Sequence, residues 1–554
     1  MSKKDYAFDK KWEVYFSPLA IGVPGHLRRI REGQEATNRS PLYKDLSSNE
    51  VLSSWLKHLG QRLTETNYPR LLEFELGNLK KFGPQGNYPS FEDRYDEYQA
   101  YFNKREKPKI INNKKYLDYL MAIVRSEVFM NAHDLRPWSL DRCVRALRHD
   151  KKLNTNSGAP DFSRRSRNSV TQKAIRDALS GKAYEYPAII GARSNRQKPR
   201  FVFMFPMSVN LLEMQFVQPL MQVVRKGTNL QFSAWEGFDE VENMTYQQFI
   251  ESKWDKDKFT LFVSVDYTKM DTTVRSWQSE ILNDLISPLF NGSSDIQASL
   301  TKSLKYVNEI PILTPFGLDR RHHGYASGSG WTNPGESFIS ALVHKHGSES
   351  LKIRGYRVVI DQINGDDGIF GIESEKPITD KDIEWIRTTI VKCMNDFGFD
   401  ANPDKQFISF TTWKYLQRFF DREETLNKDS GVIEGVYPTV LALNAAMNPE
   451  RFHDPKLWNN KMEILRWIMI LENCKHHPLF HDLIEFFVKG DKFKLGLDIP
   501  DFFSDISSLY ESSKTLKQFI PSYNQATLNR GIDDFEVVKY LKVRRLKIKD
   551  RRGE

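Results

Sequence analysis

The chain has 554 residues, 40% of them hydrophobic and 28% charged, which excludes a disordered chain and is enough for several subdomains around more than one core. Its formal net charge of +9 favours polyanionic partners without naming one. Cys143, Cys393 and Cys474 stand far apart, which excludes a disulfide framework and a cysteine metal site and points to a reducing compartment. The charged start Met1-Ser2-Lys3-Lys4-Asp5 and the lack of a long apolar run give no sign of a secretory signal or membrane span, so a soluble intracellular protein is expected.

Residues 1–80 mix aromatic, basic and Pro/Gly positions, with a helix expected over 51–63. Residues 94–148 are patterned as helix, with an apolar stripe over 116–123 that reads as core. Thr155-Asn156-Ser157-Gly158-Ala159-Pro160 is a loop by composition, followed by Arg164, Arg165 and Arg167. Small residues let a backbone approach a ligand and arginines suit phosphates, although a surface loop before a solvated helix has the same composition. A second basic stretch holds Arg193, Arg196, Lys198 and Arg200 and runs into the apolar segment 201–205. In an extended chain Lys198 and Arg200 share a face, joined by Arg196 if the strand begins that early. That is a positive wall suited to a triphosphate or a nucleic-acid backbone, or else a solvated charge run.

Residues 259–265 form a nearly continuous apolar run, expected to be a central strand, and end in Asp266-Tyr267-Thr268-Lys269-Met270-Asp271. Asp266 either caps a following helix or serves as a ligand at a strand end. The apolar runs 358–360 and 369–372 flank Asn364-Gly365-Asp366-Asp367-Gly368, which reads as a β-hairpin with two carboxylates at its tip. If its strands share a sheet with 259–265, Asp266 and Asp366 meet in a geometry suited to two metal ions bridging an attacking and a leaving oxygen, with hard oxygen ligands that favour Mg²⁺ or Mn²⁺. Between these lies a Ser/Gly loop, 324–331, leading into an apolar helix, with Asn333 as N-cap, Pro334 at the first position and Glu336 three residues on.

Asp266-x4-Asp271, Ser327-Gly328-x3-Thr332 and Gly365-Asp366-Asp367 resemble motifs A, B and C of viral RNA-dependent RNA polymerases, in that family's order. Ser157-Gly158-Ala159-Pro160 is similar to motif G, 193–200 to motif F, Phe397–Lys405 to motif D and Trp413–Phe420 to motif E. The resemblance covers roughly residues 150–420 and is most like the polymerases of picobirnaviruses. It implies metal ligation by Asp266 and Asp366, with Asp367 weaker or indirect, and Mg²⁺ as cofactor with Mn²⁺ able to substitute. Asp271, Ser327 and Thr332 would read the ribose 2′-hydroxyl. Arg193, Arg196, Lys198 and Arg200 would cradle the triphosphate, and Lys405 would protonate the leaving pyrophosphate. Ser157, Gly158, Arg164, Arg165, Gly328, Trp413 and Arg418 would meet RNA. The family often has Asn four residues after the motif B Thr. Here Glu336 stands there and the Asn lies at 333, so either could complete the ribose contact.

The fold implied is α+β: a closed right hand with an antiparallel palm sheet and mostly helical fingers and thumb. Its divisions would be an N-terminal extension bridging fingers and thumb (1–80), fingers (81–205), palm (206–275), a fingers insertion (276–318), palm (319–422) and thumb with a basic C-terminal tail (423–554). Partners would be an RNA template and product strand, NTPs and a viral capsid protein, with no membrane, in the virion interior and the host cytoplasm. Two alternatives stand beside this: a reverse transcriptase, which typically carries an aromatic residue where Asp271 is, and a non-catalytic RNA-binding or capsid-associated scaffold with a degenerate palm.

Overall fold

Strand β3 (Phe259–Asp266) alternates sharply in what its side chains meet. Leu261, Val263 and Val265 enter one hydrophobic core, Phe262 a second one on the opposite face. A strand buried on both faces must be interior, and β3 is. The computed structural model, which describes residues 9–130, 132–149, 152–226, 231–251, 259–451, 458–512 and 531–552, places β3 in a four-stranded sheet ordered β6-β7-β3-β8. Its companions are β6 (Arg357–Asn364), β7 (Asp367–Ser374) and β8 (Phe407–Ser409), and every pairing is antiparallel. The hairpin expected at 363–370 is therefore present, and its strands extend well beyond the apolar runs that signalled them. The charged start of the chain lies outside the described residues.

Helices Lys114–Val128, Ser276–Ile286, Thr332–Lys352 and Asp380–Asp396 cover one face of this sheet through Leu120, Leu282, Phe338, Leu342, Ile386 and Met394. The short strands β9 (Thr412–Tyr415) and β10 (Arg418–Asp421) pair with each other, and their Trp413, Tyr415 and Phe420 line the core on the opposite face.

A second four-stranded sheet, ordered β2-β1-β4-β5, joins β1 (Ala188–Asn195) and β2 (Lys198–Met204) to β4 (Ile312–Thr314) and β5 (Gly317–Asp319). Its core takes in Val23, Leu27 and Ile30 of helix Val23–Glu32. The next helix, Ser48–Glu65, instead buries Val51, Trp55, Leu59 and Leu63 among helices Thr439–Met447, Asn460–Glu472 and Phe480–Gly490. One N-terminal stretch thus packs into two separate cores. The basic tail is a helix, Glu536–Arg552, seated in that last core by Val537, Val538 and Leu541 and capped by Glu472, which accepts the N–H groups of Glu536 and Val537 (3.1 Å each). No helix of the described residues is long and apolar enough to cross a membrane.

Candidate active site

The register of the central sheet sets Asp266 opposite Asp367, while Asn364 and Asp367 close a two-residue turn. Gly365 has φ +66° at the first position of that turn, the conformation that admits glycine without strain and that a type II′ hairpin needs there. Asp366 follows it. Helix Thr332–Lys352 holds the tip from below: Gly365 N donates to Ser337 Oγ (2.8 Å), Ser340 Oγ donates to Gly365 O (2.9 Å), and Asn333 Nδ2 donates to Asn364 Oδ1 (3.0 Å). Asp266 is held differently. The Gln406 amide accepts from Asp266 N (3.0 Å) and donates to Asp266 O (2.9 Å), continuing by side chain the ladder that β8 makes by backbone. Asp266 caps no helix, since Lys269 is the N-cap of the following turn, Met270–Thr273.

All three carboxylates touch solvent, yet protein surrounds them closely enough for desolvation to dominate their electrostatics. Burial raises Asp266, against the fields of Lys405 and Lys198. It raises Asp366, reinforced by Asp271 and Asp266 and opposed by Arg200, and it raises Asp367, reinforced by Asp366 and Asp266. Crowded carboxylates raised in this way favour a cation. Among the described residues no group of three or more His, Cys, Asp or Glu side chains is close enough to form a ready cage. The donor set nonetheless fits Mg²⁺ or Mn²⁺, which use one or two carboxylates and take their remaining ligands from water and substrate phosphates.

Asp271 lies one turn beyond Asp266. Tyr101 donates its hydroxyl to Asp271 Oδ2 (2.9 Å) and Thr272 N donates to Oδ1 (2.8 Å), so the carboxylate is fixed with lone pairs to spare. Asn333 and Glu336 are told apart by their surroundings. The Asn333 amide is spent on Asn364 and on Trp235 Nε1 (3.0 Å), and helix Thr332–Lys352 starts with Trp331 as N-cap and no side-chain capping bond, so the expected Asn333 cap is not formed. Glu336 is buried, has a carboxyl oxygen with no partner, and burial together with Asp366 and Asp271 raises it well above the ordinary range. Ser327 is exposed at the loop tip, and Thr332 Oγ1 donates to Ala326 O (3.2 Å).

The basic wall is real but shorter than its sequence suggests. Lys198 and Arg200 point the same way from β2 and are exposed. Arg196 is in the β1–β2 turn rather than the strand, with φ +56°, and its guanidinium donates to Tyr437 Oη (3.1 Å). Arg193 is bound bidentately by Glu450 (2.5 and 3.0 Å). Lys405 ends the short turn Pro403–Lys405, exposed, with its field felt at Asp266.

The residues expected to meet RNA divide in two. Arg164 is exposed. Ser157 is buried, Gly158 packs against the Phe205 carbonyl where a Cβ would come within 2.4 Å, and Gly328 packs still more closely on the Phe203 carbonyl. Arg165 turns inward to Asn156 O (2.9 Å) and Asn210 Oδ1 (2.7 Å). Trp413 is fully buried between Phe262 and Phe420, and Arg418, 3% exposed, donates to Gly435 O (2.9 Å) and Asn473 O (3.0 Å) over the Phe238 ring. The expectation that Trp413 and Arg418 face RNA is corrected: both pack the interior, because their alternate strand positions point inward.

Sequence reasoning missed Ser337 and Ser340, whose three-residue spacing on one helix face was the available signal, and also Tyr101, Gln406 and Glu213. Glu213, 1% exposed on helix Met207–Lys226, accepts from Ser329 Oγ (2.5 Å), Gly330 N (2.7 Å) and Asn210 Nδ2 (3.0 Å). It thereby clamps the loop that carries Ser327 and Gly328.

No protein-family model matches the chain. A potential RNA-dependent RNA polymerase of human picobirnavirus is 28% identical over 568 aligned positions, covering 96% of this chain and 99% of that protein. The crystal structure of the RNA-dependent RNA polymerase of a human picobirnavirus superposes with a TM-score of 0.77 at 24% identity, over 97% of this chain and all of the other. By sequence and fold together, the chain is similar to the RNA-dependent RNA polymerases of picobirnaviruses. An insertion-loop deletion mutant of such a polymerase matches at the same TM-score and coverage with 25% identity. The likeness spans 96–97% of the chain, far beyond residues 150–420 where the motifs lie.

Proposed function

We propose that this polymerase-type chain copies an RNA template from NTPs by two-metal nucleotidyl transfer, serving replication and transcription of a viral RNA genome. The observation that carries the reading is the Asp266–Asp367 register, which brings the strand-end carboxylate beside the hairpin tip bearing Asp366. Asp266 and Asp366, with Asp367 beside them, would hold divalent cations, Mg²⁺ or Mn²⁺, whose charge would make a 3′-hydroxyl more nucleophilic and pyrophosphate a better leaving group. The chain's own residues do the rest. Lys198 and Arg200 offset the triphosphate charge, aided by Arg193 and Arg196 when they exchange their present partners for phosphate. Lys405 delivers a proton to the pyrophosphate. Asp271, oriented by Tyr101, accepts from the ribose 2′-hydroxyl, with Ser327 and Thr332 alongside and Glu336, rather than Asn333, completing that contact. Arg164 and the loops of Ser157, Gly158 and Gly328 line the template path.

The same reading divides the chain into an N-terminal extension (1–80), fingers (81–205 and the insertion 276–318), palm (206–275 and 319–422) and thumb (423–554). The extension ties fingers to thumb, which its packing into two cores supports. A capsid protein as partner, and action in the virion interior and host cytoplasm, belong to this proposal as well. The test is primer-independent incorporation of labelled NTPs on single-stranded RNA with Mg²⁺ or Mn²⁺, run beside Asp366→Ala and with dNTPs in parallel. RNA product from wild type alone, with little dNTP use, supports the reading; primed templates decide if unprimed ones give nothing. Equal signal from Asp366→Ala overturns the metal site.

A further inference from the structure

We propose that Lys81 is a nucleotide-binding residue: with Lys198 and Lys414 it forms a subsite for the polyphosphate of a nucleoside triphosphate, contributed from outside the recognised motifs. The inference rests on the polymerase reading above and adds a residue to its substrate site.

The placement of Lys81 is built rather than incidental. The β1–β2 turn consists of Arg196 and Gln197, both at positive φ (+56° and +61°), a conformation costly for residues with side chains. It is held from outside by the segment just after Lys81: Arg196 N donates to Gln85 Oε1 (3.0 Å), Gln197 Nε2 to Pro84 O (2.9 Å) and Gly86 N to Ser194 O (3.1 Å). The same segment is tied to helix Thr439–Met447, where Asn444 donates to Lys81 O (3.2 Å) and accepts from Gly83 N (3.0 Å). The backbone of Lys81 is therefore fixed between the basic turn and that helix.

Its side chain is partly buried, with the ammonium aimed by a bond to Asn78 Oδ1 (2.7 Å), and it makes no ion pair among the described residues. Around it stand Arg196, Lys198, Lys80 and Lys414, whose fields add to burial in pushing the Lys81 ammonium down to about 8. Confined cations repel one another strongly when water is scarce, and a polyanion relieves that repulsion. The cluster faces the carboxylates electrostatically: the fields of Lys198, Arg200 and Lys81 reach Asp266, Asp366 and Asp367 respectively. A nucleotide whose α-phosphate lies at those carboxylates has the rest of its polyphosphate beside the cluster. RNA backbone would call for cations strung along a groove, whereas these are grouped around the one Lys81 ammonium.

The test uses the full chain on a primed RNA template. In Lys81→Met the KM for NTP should rise about tenfold, as expected for one lost charge-assisted contact, with kcat and template affinity at fixed salt changed far less; Lys81→Arg should regain most of the loss. Independently of activity, wild-type protein is acylated with an amine-reactive reagent near neutral pH and Lys81 modification is read by mass spectrometry. Tripolyphosphate should protect Lys81, and RNA without terminal phosphates should not. An unchanged KM in Lys81→Met, a loss confined to template affinity, or no protection by tripolyphosphate overturns the proposal. A failure of the polymerase reading would appear separately, as Asp366→Ala retaining activity, while the protection assay still decides whether Lys81 binds a polyphosphate.

Discussion

Charged side chains crowd together in two parts of this molecule, and they are treated in opposite ways. Where the N-terminal stretch meets the C-terminal helices, the buried carboxylates Glu75 and Glu463 are satisfied by protein. Glu75, fully buried, accepts from Thr439 N (2.6 Å), Thr439 Oγ1 (2.8 Å) and Val440 N (3.1 Å), capping helix Thr439–Met447. Glu463 accepts from Arg466 (2.6 and 3.0 Å), Ser40 (2.7 Å) and Trp458 (2.8 Å), while Arg466 also serves the carbonyls of Ala445 and Ala446. Burial alone would raise Glu463, but Arg466 and these donors outweigh it and hold the carboxyl at about 2. At the central sheet Asp266, Asp366 and Asp367 repel one another and are raised, and across from them Lys81 and Lys198 make no ion pair among the described residues. The protein neutralises Glu75 and Glu463 within its frame and leaves the charges of the candidate site to be neutralised by what binds there.

The contrast can be broken from either side. Asp366→Ala should cut RNA synthesis by about a thousandfold or more, about 4 kcal/mol of barrier, while its melting temperature stays equal or rises, because a repulsive charge has gone. A fall in melting temperature matching the lost activity would mean that Asp366 is structural. Glu463→Ala should do the reverse. Arg466 would be left buried without its counterion, at a cost of about 3–5 kcal/mol, seen as an early transition in thermal melting. Glu213 is the intermediate case, a buried carboxylate raised to about 7, chiefly by burial, two of whose three donors belong to one loop. Glu213→Ala should cost about 1–3 kcal/mol of stability and raise the KM for template more than that for NTP, because the loop carrying Ser327 and Gly328 loses its anchor. An unchanged template KM would confine Glu213 to stability.

Much of this was legible because it is local. An apolar run ended by an acid gave β3 and Asp266, and a Gly-Asp-Asp turn between apolar runs gave the hairpin, since period and turn chemistry act over a few residues. Partners set by tertiary packing left no such trace. Tyr101 orients Asp271 from 170 residues away, Glu450 takes up Arg193 from 257, and nothing in either local pattern names its partner. Trp413 and Arg418 were misread because aromatic and basic composition looks the same on a nucleic-acid face and in a stacked interior, and only the strand register shows which way they point. Asn333 carried a cap signature, yet Trp235 and Asn364 compete for its amide and win.

The smallest expected effect separates the two regions most cleanly, because they titrate with opposite sign. Asp367 is raised from its ordinary value of 3.8, so the folded state binds its proton more tightly than the unfolded chain does. Its contribution to stability is complete below that value and is lost as pH rises toward the raised one. Removing the charge with Asp367→Asn should therefore gain stability that grows between mildly acidic and neutral pH. The side chain touches water, so screening limits the gain to under about 1 kcal/mol. Glu463, depressed from 4.5 to about 2, contributes stability above the higher value and loses it as pH falls toward the lower. The penalty of Glu463→Gln should accordingly shrink on acidification, where that of the wild-type Asp367 shrinks too but with the variant as the more stable protein. Melting temperatures of wild type and both variants across this range, with and without Mg²⁺, decide the matter. Mg²⁺ should raise wild type toward Asp367→Asn and leave the effect of Glu463→Gln unchanged. If Mg²⁺ leaves the Asp367→Asn difference unaltered, the repulsion at the hairpin is relieved by something other than a bound cation, and the two regions are less different than their electrostatics imply.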